Sequence, residues 1–125
     1  PEVIAKYNVV SAPVAARMSL GAAAASGADI AVSVTGVAGP TGGDEVRPVG
    51  TVYLGAARGD TVYVQKLFVS RPDRALVRAR AAQAALALAL RLAQGKVPAH
   101  TKPLAASEQH SAAALDALNE AFLAE

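Results

Sequence analysis

Cysteine is absent from this 125-residue chain. Disulfides, zinc–thiolate sites and a cysteine nucleophile are therefore excluded. Tryptophan is also absent, methionine occurs once, and aromatic residues make up 4% of the chain. Apolar content thus rests on Ala, Val and Leu, small side chains that suit close packing of helices on a sheet. Charge is sparse, at 18% of residues against 53% hydrophobic, so the chain should bury a core. The net charge of +2 is too small to imply a nucleic-acid partner, and none is expected. Long hydrophobic runs are missing as well: the most apolar, Ala84 to Leu90, falls far below the roughly 18–20 residues that span a bilayer. Residues 1–20 lack the basic start and apolar block of a signal peptide. A cytoplasmic protein with no membrane partner is the expectation. His100 and His110 stand apart from other ligand types, so no metal site is expected. Pro1 is not a natural start, and the chain reads as a segment of a longer one.

What is present is concentrated in one stretch. Thr35 to Gly50 reads T-G-V-A-G-P-T-G-G-D-E-V-R-P-V-G and holds five of the ten glycines and two of the seven prolines. An apolar β-branched run, Ile30 to Val34, leads in and fits a buried central strand. Val49 to Ala57 leads out as a second strand. A glycine-rich loop between strands can present several backbone N–H groups to one anion. It can equally be a surface connection with turn chemistry. It is neither a Walker loop nor a G-x-G-x-x-G fingerprint.

The flanking elements follow from periodicity and punctuation. Ser11 and Pro13 start a helix running to about Ser26, with Val14, Met18, Ala22 and Ala25 on one face and Gly27 at its end. Arg17 is placed on its solvated side. Arg58-Gly59-Asp60 turns the second strand into a third, Thr61 to Val69, as an antiparallel hairpin. Asp73 caps a helix from Arg74 to Gln94. Val77, Ala81, Ala84, Leu88 and Leu92 line one face of that helix, and Leu76, Arg80, Gln83, Leu86 and Leu90 another. Arg74, Arg78 and Arg80 crowd its N-terminal end, where cations oppose the helix dipole. They call for an anion: Asp73, Asp44 and Glu45, or a bound phosphate. Residues 95–107 read as a linker and 108–125 as a tail helix with Leu115, Leu118 and Phe122 on its apolar face.

The order A-D-I-A-V-S-V-T-G-V-A-G-P-T-G-G followed by R-P-V-G-T-V-Y resembles the CinA C-terminal domain family, the nicotinamide-nucleotide amidases. The resemblance extends upstream through Val10 to Ala22 and downstream to D-R-A-L-V-R at Asp73 to Arg78, covering about residues 1–94. It implies a three-layer α/β/α fold with a mixed sheet, to which this chain gives three strands, two core helices and the tail helix. Residues 1–94 would be the C-terminal portion of the amidase domain. The implied reaction is hydrolysis of the carboxamide of nicotinamide mononucleotide to nicotinate mononucleotide and ammonia, with no cofactor and no metal. Carried over by motif, Thr35, Gly36, Ala38, Gly39, Thr41 and Gly42 would line the nucleotide pocket, and Arg74 would act as a phosphate or active-site group. Two extra residues separate Phe68 from Asp73-Arg74 compared with the family motif, so Arg71 and Arg78 remain substitutes for Arg74.

The family's catalytic serine, tyrosine and lysine precede the part matched, as does its T-A-E-S-C-T-G-G segment. None of these motifs occurs here, and Lys6-Tyr7 stands in the reversed order. The implied partners are therefore the nucleotide, the upstream half of the same domain and further copies of the chain in a homo-oligomer. Two alternatives are a non-catalytic nucleotide-binding or regulatory domain and a structural module with the tail as interface.

Overall fold

Strand β2 (Thr51–Arg58) is the spine of the molecule, with every residue from Thr51 to Ala57 buried. A strand covered on both faces reads as a continuous apolar run, and T-V-Y-L-G-A-A does so. It pairs antiparallel with β1 (Ile30–Gly36) on one side and with β3 (Thr61–Phe68) on the other. A fourth strand, β4 (Lys102–Ala105), pairs antiparallel with β3, giving the order β1-β2-β3-β4. The computed structural model describes residues 2–37, 43, 47–70 and 73–124. Every strand pairing among them is antiparallel.

Helices cover both faces, so the three-layer α/β/α arrangement holds. On one face lie α1 (Glu2–Tyr7), α2 (Ala12–Ser26) and α4 (Ala112–Leu123). Their Tyr7, Ala12, Ala15, Ala16, Leu20, Leu115, Leu118 and Phe122 pack with Tyr53, Ala57, Val62 and Val64 of the sheet. On the other face α3 (Arg74–Ala93) sets Val77, Ala81, Leu88 and Leu92 against Val52, Leu54 and Ala56. Each fully buried aliphatic side chain of this kind contributes about 1.5–3 kcal/mol. Strict alternation along β2 decides which layer each residue joins.

Local chemistry sets the helix ends. Ser11 Oγ accepts from Val14 N at 3.3 Å and Gly27 closes α2 in the left-handed region. Asp73 accepts from Leu76 N at 2.8 Å and starts α3. Arg58 donates to the Leu92 carbonyl at the other end of α3. Ser111 caps α4.

Four expectations change. Of the expected α2 face Val14 is buried, while Met18, Ala22 and Ala25 are exposed, and Ala12, Ala15, Ala16, Ser19 and Leu20 are buried instead. The smallest side chains face the sheet because Gly55 admits the helix to close range: a Cβ at Gly55 would stand 2.5 Å from the Ala15 carbonyl oxygen. Arg17 is half-buried rather than solvated. The strand Ile30 to Gly36 stands at the edge of the sheet formed by the described residues, not at its centre. The stretch 95–107 carries β4, whose four residues K-P-L-A give no periodic signal of their own and are ordered by pairing with β3. Among the described residues no helix is long and apolar enough to cross a membrane.

Candidate functional site

The antiparallel order brings the C-terminal ends of β1 and β3 and the N-terminal end of β2 to one end of the sheet. Helix α2 runs back into β1, so its N-terminus lies at this same end. Helix α3 starts five residues after β3 ends, and its N-terminus lies there too. Two helix N-termini at one end make it favourable for negative charge. Arg74, Arg78 and Arg80 add exposed cations on the first turns of α3. The carboxylate of Asp73 is engaged by the Leu76 N–H as the cap. Among the described residues none of the three arginines forms an ion pair. Asp44 and Glu45, the other acids weighed for this role, lie outside the described residues.

The glycine-rich stretch is anchored at both ends. On the way in, the Thr35 hydroxyl donates to the Val9 carbonyl at 2.8 Å. Gly36 continues the ladder against Val52, where a Cβ would meet the Thr51 carbonyl oxygen at 2.9 Å. Val37 N then donates to Thr51 O at 2.8 Å. On the way out, Gly50 N donates to Val37 O at 2.7 Å and Val69 N to Gly50 O at 3.0 Å, so one glycine ties β1 to β3 across the start of β2. Gly50 has a φ of 101°, a conformation open to glycine and strained for other residues.

Arg47 is the residue that motif reasoning quoted in R-P-V-G but gave no role. Its Nε donates to the Val10 carbonyl and its Nη2 to the Tyr7 carbonyl, both at 2.6 Å. Together with Thr35, it fastens the stretch to the turn between α1 and α2. That turn is fixed from within: Asn8 has a φ of 79°, its Oδ1 accepts from Val10 N at 3.0 Å, and Ser11 Oγ donates to the Asn8 carbonyl at 2.9 Å. An arginine flanked by a valine, a proline and a short acidic spacer carries no signal of a carbonyl clamp, because its acceptors are backbone atoms about forty residues away.

Of the residues drawn from the motif, Thr35, Gly36 and Arg74 are thus placed at this one end. Ala38, Gly39, Thr41, Gly42 and the substitute Arg71 lie outside the described residues.

The chain matches the family model described as the CinA C-terminal domain over residues 1–93. It belongs to the CinA C-terminal domain family. Within that family it is 44% identical over 87 residues to the nicotinamide-nucleotide amidohydrolase PncC of Escherichia coli (strain K12), covering 68% of this chain and 52% of that protein. It is 49% identical over 78 residues to a CinA-like protein of Geobacter sp. (strain M21), covering 62% of this chain and 19% of that one. Among solved structures, the competence/damage inducible protein CihA from Agrobacterium tumefaciens superimposes with a TM-score of 0.71 at 34% identity, over 74% of this chain and 57% of that chain. A CinA superfamily protein from Escherichia coli gives 0.67 at 34% identity, over 73% of this chain and 52% of that chain. This CinA-family chain therefore spans about half of the amidohydrolase it matches and about a fifth of the CinA-like protein.

Proposed function

We propose that this chain supplies the nucleotide-binding part of a nicotinamide-nucleotide amidase. The reaction would be hydrolysis of the carboxamide of nicotinamide mononucleotide to nicotinate mononucleotide and ammonia. The observation that carries this reading is the 44% identity with the amidohydrolase, which runs through the glycine-rich stretch and the Asp73-Arg74 motif. In support, the end of the sheet described above joins two helix N-termini to a cluster of arginines that form no ion pair among the described residues, an environment suited to a 5′-phosphate.

In this reading Thr35 and Gly36 begin the wall of the pocket, and Ala38, Gly39, Thr41 and Gly42 continue it. Arg74 holds the phosphate or orients the substrate. The nucleophile is a serine on the remaining half of the domain, activated by a neighbouring lysine and tyrosine. It adds to the amide carbon, ammonia leaves, and water then cleaves the acyl-enzyme. Backbone N–H donors stabilise the oxyanion. That remaining half pairs along β1, whose outer edge is open among the described residues. Its site is in the cytoplasm. Residues 1–94 form the domain portion, 95–107 the connection and 108–125 the tail.

Ammonia release from nicotinamide mononucleotide tests the proposal. The full parent chain should be active and the 125-residue chain alone inactive. Arg74→Ala in the parent should lower kcat/KM by about ten- to a hundredfold, the worth of one hydrogen bond to a charged group. An inactive parent that still binds the nucleotide saturably would favour the regulatory alternative. An upstream sequence that also lacked the serine and the Tyr-x-x-x-x-Lys pair would support it.

A further inference from the structure

Residues 94–124 lie beyond the family match, yet they complete one side of the molecule. Strand β4 pairs Ala105, Leu104, Pro103 and Lys102 with Thr61, Val62, Tyr63 and Val64. Ala106 N donates to the Asp60 carbonyl at 2.6 Å. Helix α4 then sets Phe122 edge-on to Tyr53, with ring centroids 5.7 Å apart and planes at 86°. We infer that this extension is a cap over a self-association surface, and that the occupant of the uncapped surface is the β3 edge of a second copy of this chain.

The edge under the cap explains why one is present. Thr61 to Gln65 reads T-V-Y-V-Q, β-branched, aromatic and uncharged, which is the kind of edge that recruits another strand. The cap replaces it with K-P-L-A, whose lysine and proline are edge-blocking residues. Besides these contacts, the attachment includes buried Leu104, Leu115 and Leu118 and an exposed Lys6–Asp116 pair of 3.0 Å that Tyr7 joins through its hydroxyl. The connection back to α3 includes two residues in the left-handed region, Gly95 and His100.

The pairing register follows from the backbone. Gly50 O accepts from Val69 N, so odd-numbered residues of β3 bond to β2 and even-numbered ones face outward. A two-fold pairing through Tyr63 opposes Tyr63 to Tyr63 and Val62 to Val64. It also sets Lys66 opposite Asp60 of the second copy. The even residues then form the hydrogen-bonded pairs, as they must, and the end pair is oppositely charged. A shift one way sets Lys66 against Arg58, and the other way against Val62. Both lose the charge match. Tyr63 becomes a non-hydrogen-bonded pair, the closer of the two kinds and within reach of a disulfide.

Because the chain has no cysteine, Tyr63→Cys reports this pairing alone. The full chain carrying Tyr63→Cys is oxidised with glutathione disulfide, with the cap docked or released by Phe122→Asp. Covalent dimer should form at least tenfold faster with the cap released. Lys66→Asp should cut that rate about tenfold, and Asp60→Lys added to it should restore the rate. Leu118→Ser serves as the milder release should Phe122→Asp lose its circular dichroism spectrum. Equal rates with the cap docked and released, or a dimer indifferent to the charge reversals, would overturn the inference.

Discussion

At the scale of single residues, contact distance matters more than residue class. Gly55 sits where α2 crosses the sheet. Its absent Cβ leaves room for the Ala15 carbonyl, for Ser19 Oγ and for Ser33 Oγ, which donates to that carbonyl at 2.6 Å. A methyl at Gly55 would stand 2.5 to 2.8 Å from all three oxygens, one of them backbone. Gly55→Ala should therefore cost about 1–3 kcal/mol through overpacking, despite the better strand propensity of alanine. Urea unfolding of the purified chain measures it. Arg47 is the second such position. Removing its guanidinium leaves the carbonyls of Tyr7 and Val10 without a charged donor. Arg47→Ala should cost about 1.5–3 kcal/mol, with faster amide exchange across the turn from Asn8 to Ser11. Neither role was legible in the sequence. Gly55 reads as a weak point in a strand and Arg47 as a charged loop residue, because both act on partners set by the tertiary fold.

At the scale of elements, the extent of α3 and one apolar face each of α3 and α4 were legible, although α4 begins at Ala112 rather than 108 and the second face of α3 leaves Leu86 and Leu90 exposed. Val77, Ala81, Leu88 and Leu92 are buried, as are Leu115, Leu118 and Phe122. Large side chains at helical spacing carry that signal. On α2 the same rule held for Val14 and failed for Met18, which stays exposed while alanines and a serine are buried. The fourth strand escaped notice because four residues with a proline suggest a linker until a partner edge is supplied. Of the candidate site, the sequence named Thr35, Gly36 and Arg74, which the fold brings to one end, but not the anchoring of the stretch. Docking of α4 can be tested by pH. Asp116 is held below the ordinary carboxylate range, first by the Tyr7 hydroxyl and then by Lys6. Its contribution is present above the unfolded-state value and is lost as pH falls through the lower folded one. Lys6 is raised chiefly by its bond to Asp116, and Tyr7 chiefly by burial. Their contributions are present below their unfolded values and are lost as pH rises through the raised ones. NMR signals of α4 should hold constant across neutral pH and shift at both extremes, and Asp116→Asn should flatten the acid limb. Phe122→Ala should destabilise the docked helix by about 3–5 kcal/mol.

At the scale of the molecule, the two edges of the sheet are treated differently. One ends in β4 with its lysine and proline. The other is β1, whose Ile30 to Gly36 carries neither charge nor proline and continues the sheet without a neighbour among the described residues. If the remaining half of the domain pairs there, as proposed, the outward N–H groups of β1 form that junction. Val37 N bonds inward to Thr51, so the N–H groups of Thr35 and Ser33 face β2, and those of Val34 and Val32 face out. Proline on an edge strand is tolerated where its nitrogen faces away from the ladder. Val34→Pro should therefore cost the 125-residue chain about 1 kcal/mol or less. In the full parent chain the same substitution removes a donor from the middle of a sheet, where it should cost about 3 kcal/mol or more and abolish amidase activity. Denaturant unfolding of both lengths, with and without the substitution, gives the comparison. Equal costs in the two lengths would show that β1 is a true edge and that the remaining half docks elsewhere, most directly on the exposed Leu86 and Leu90 of α3.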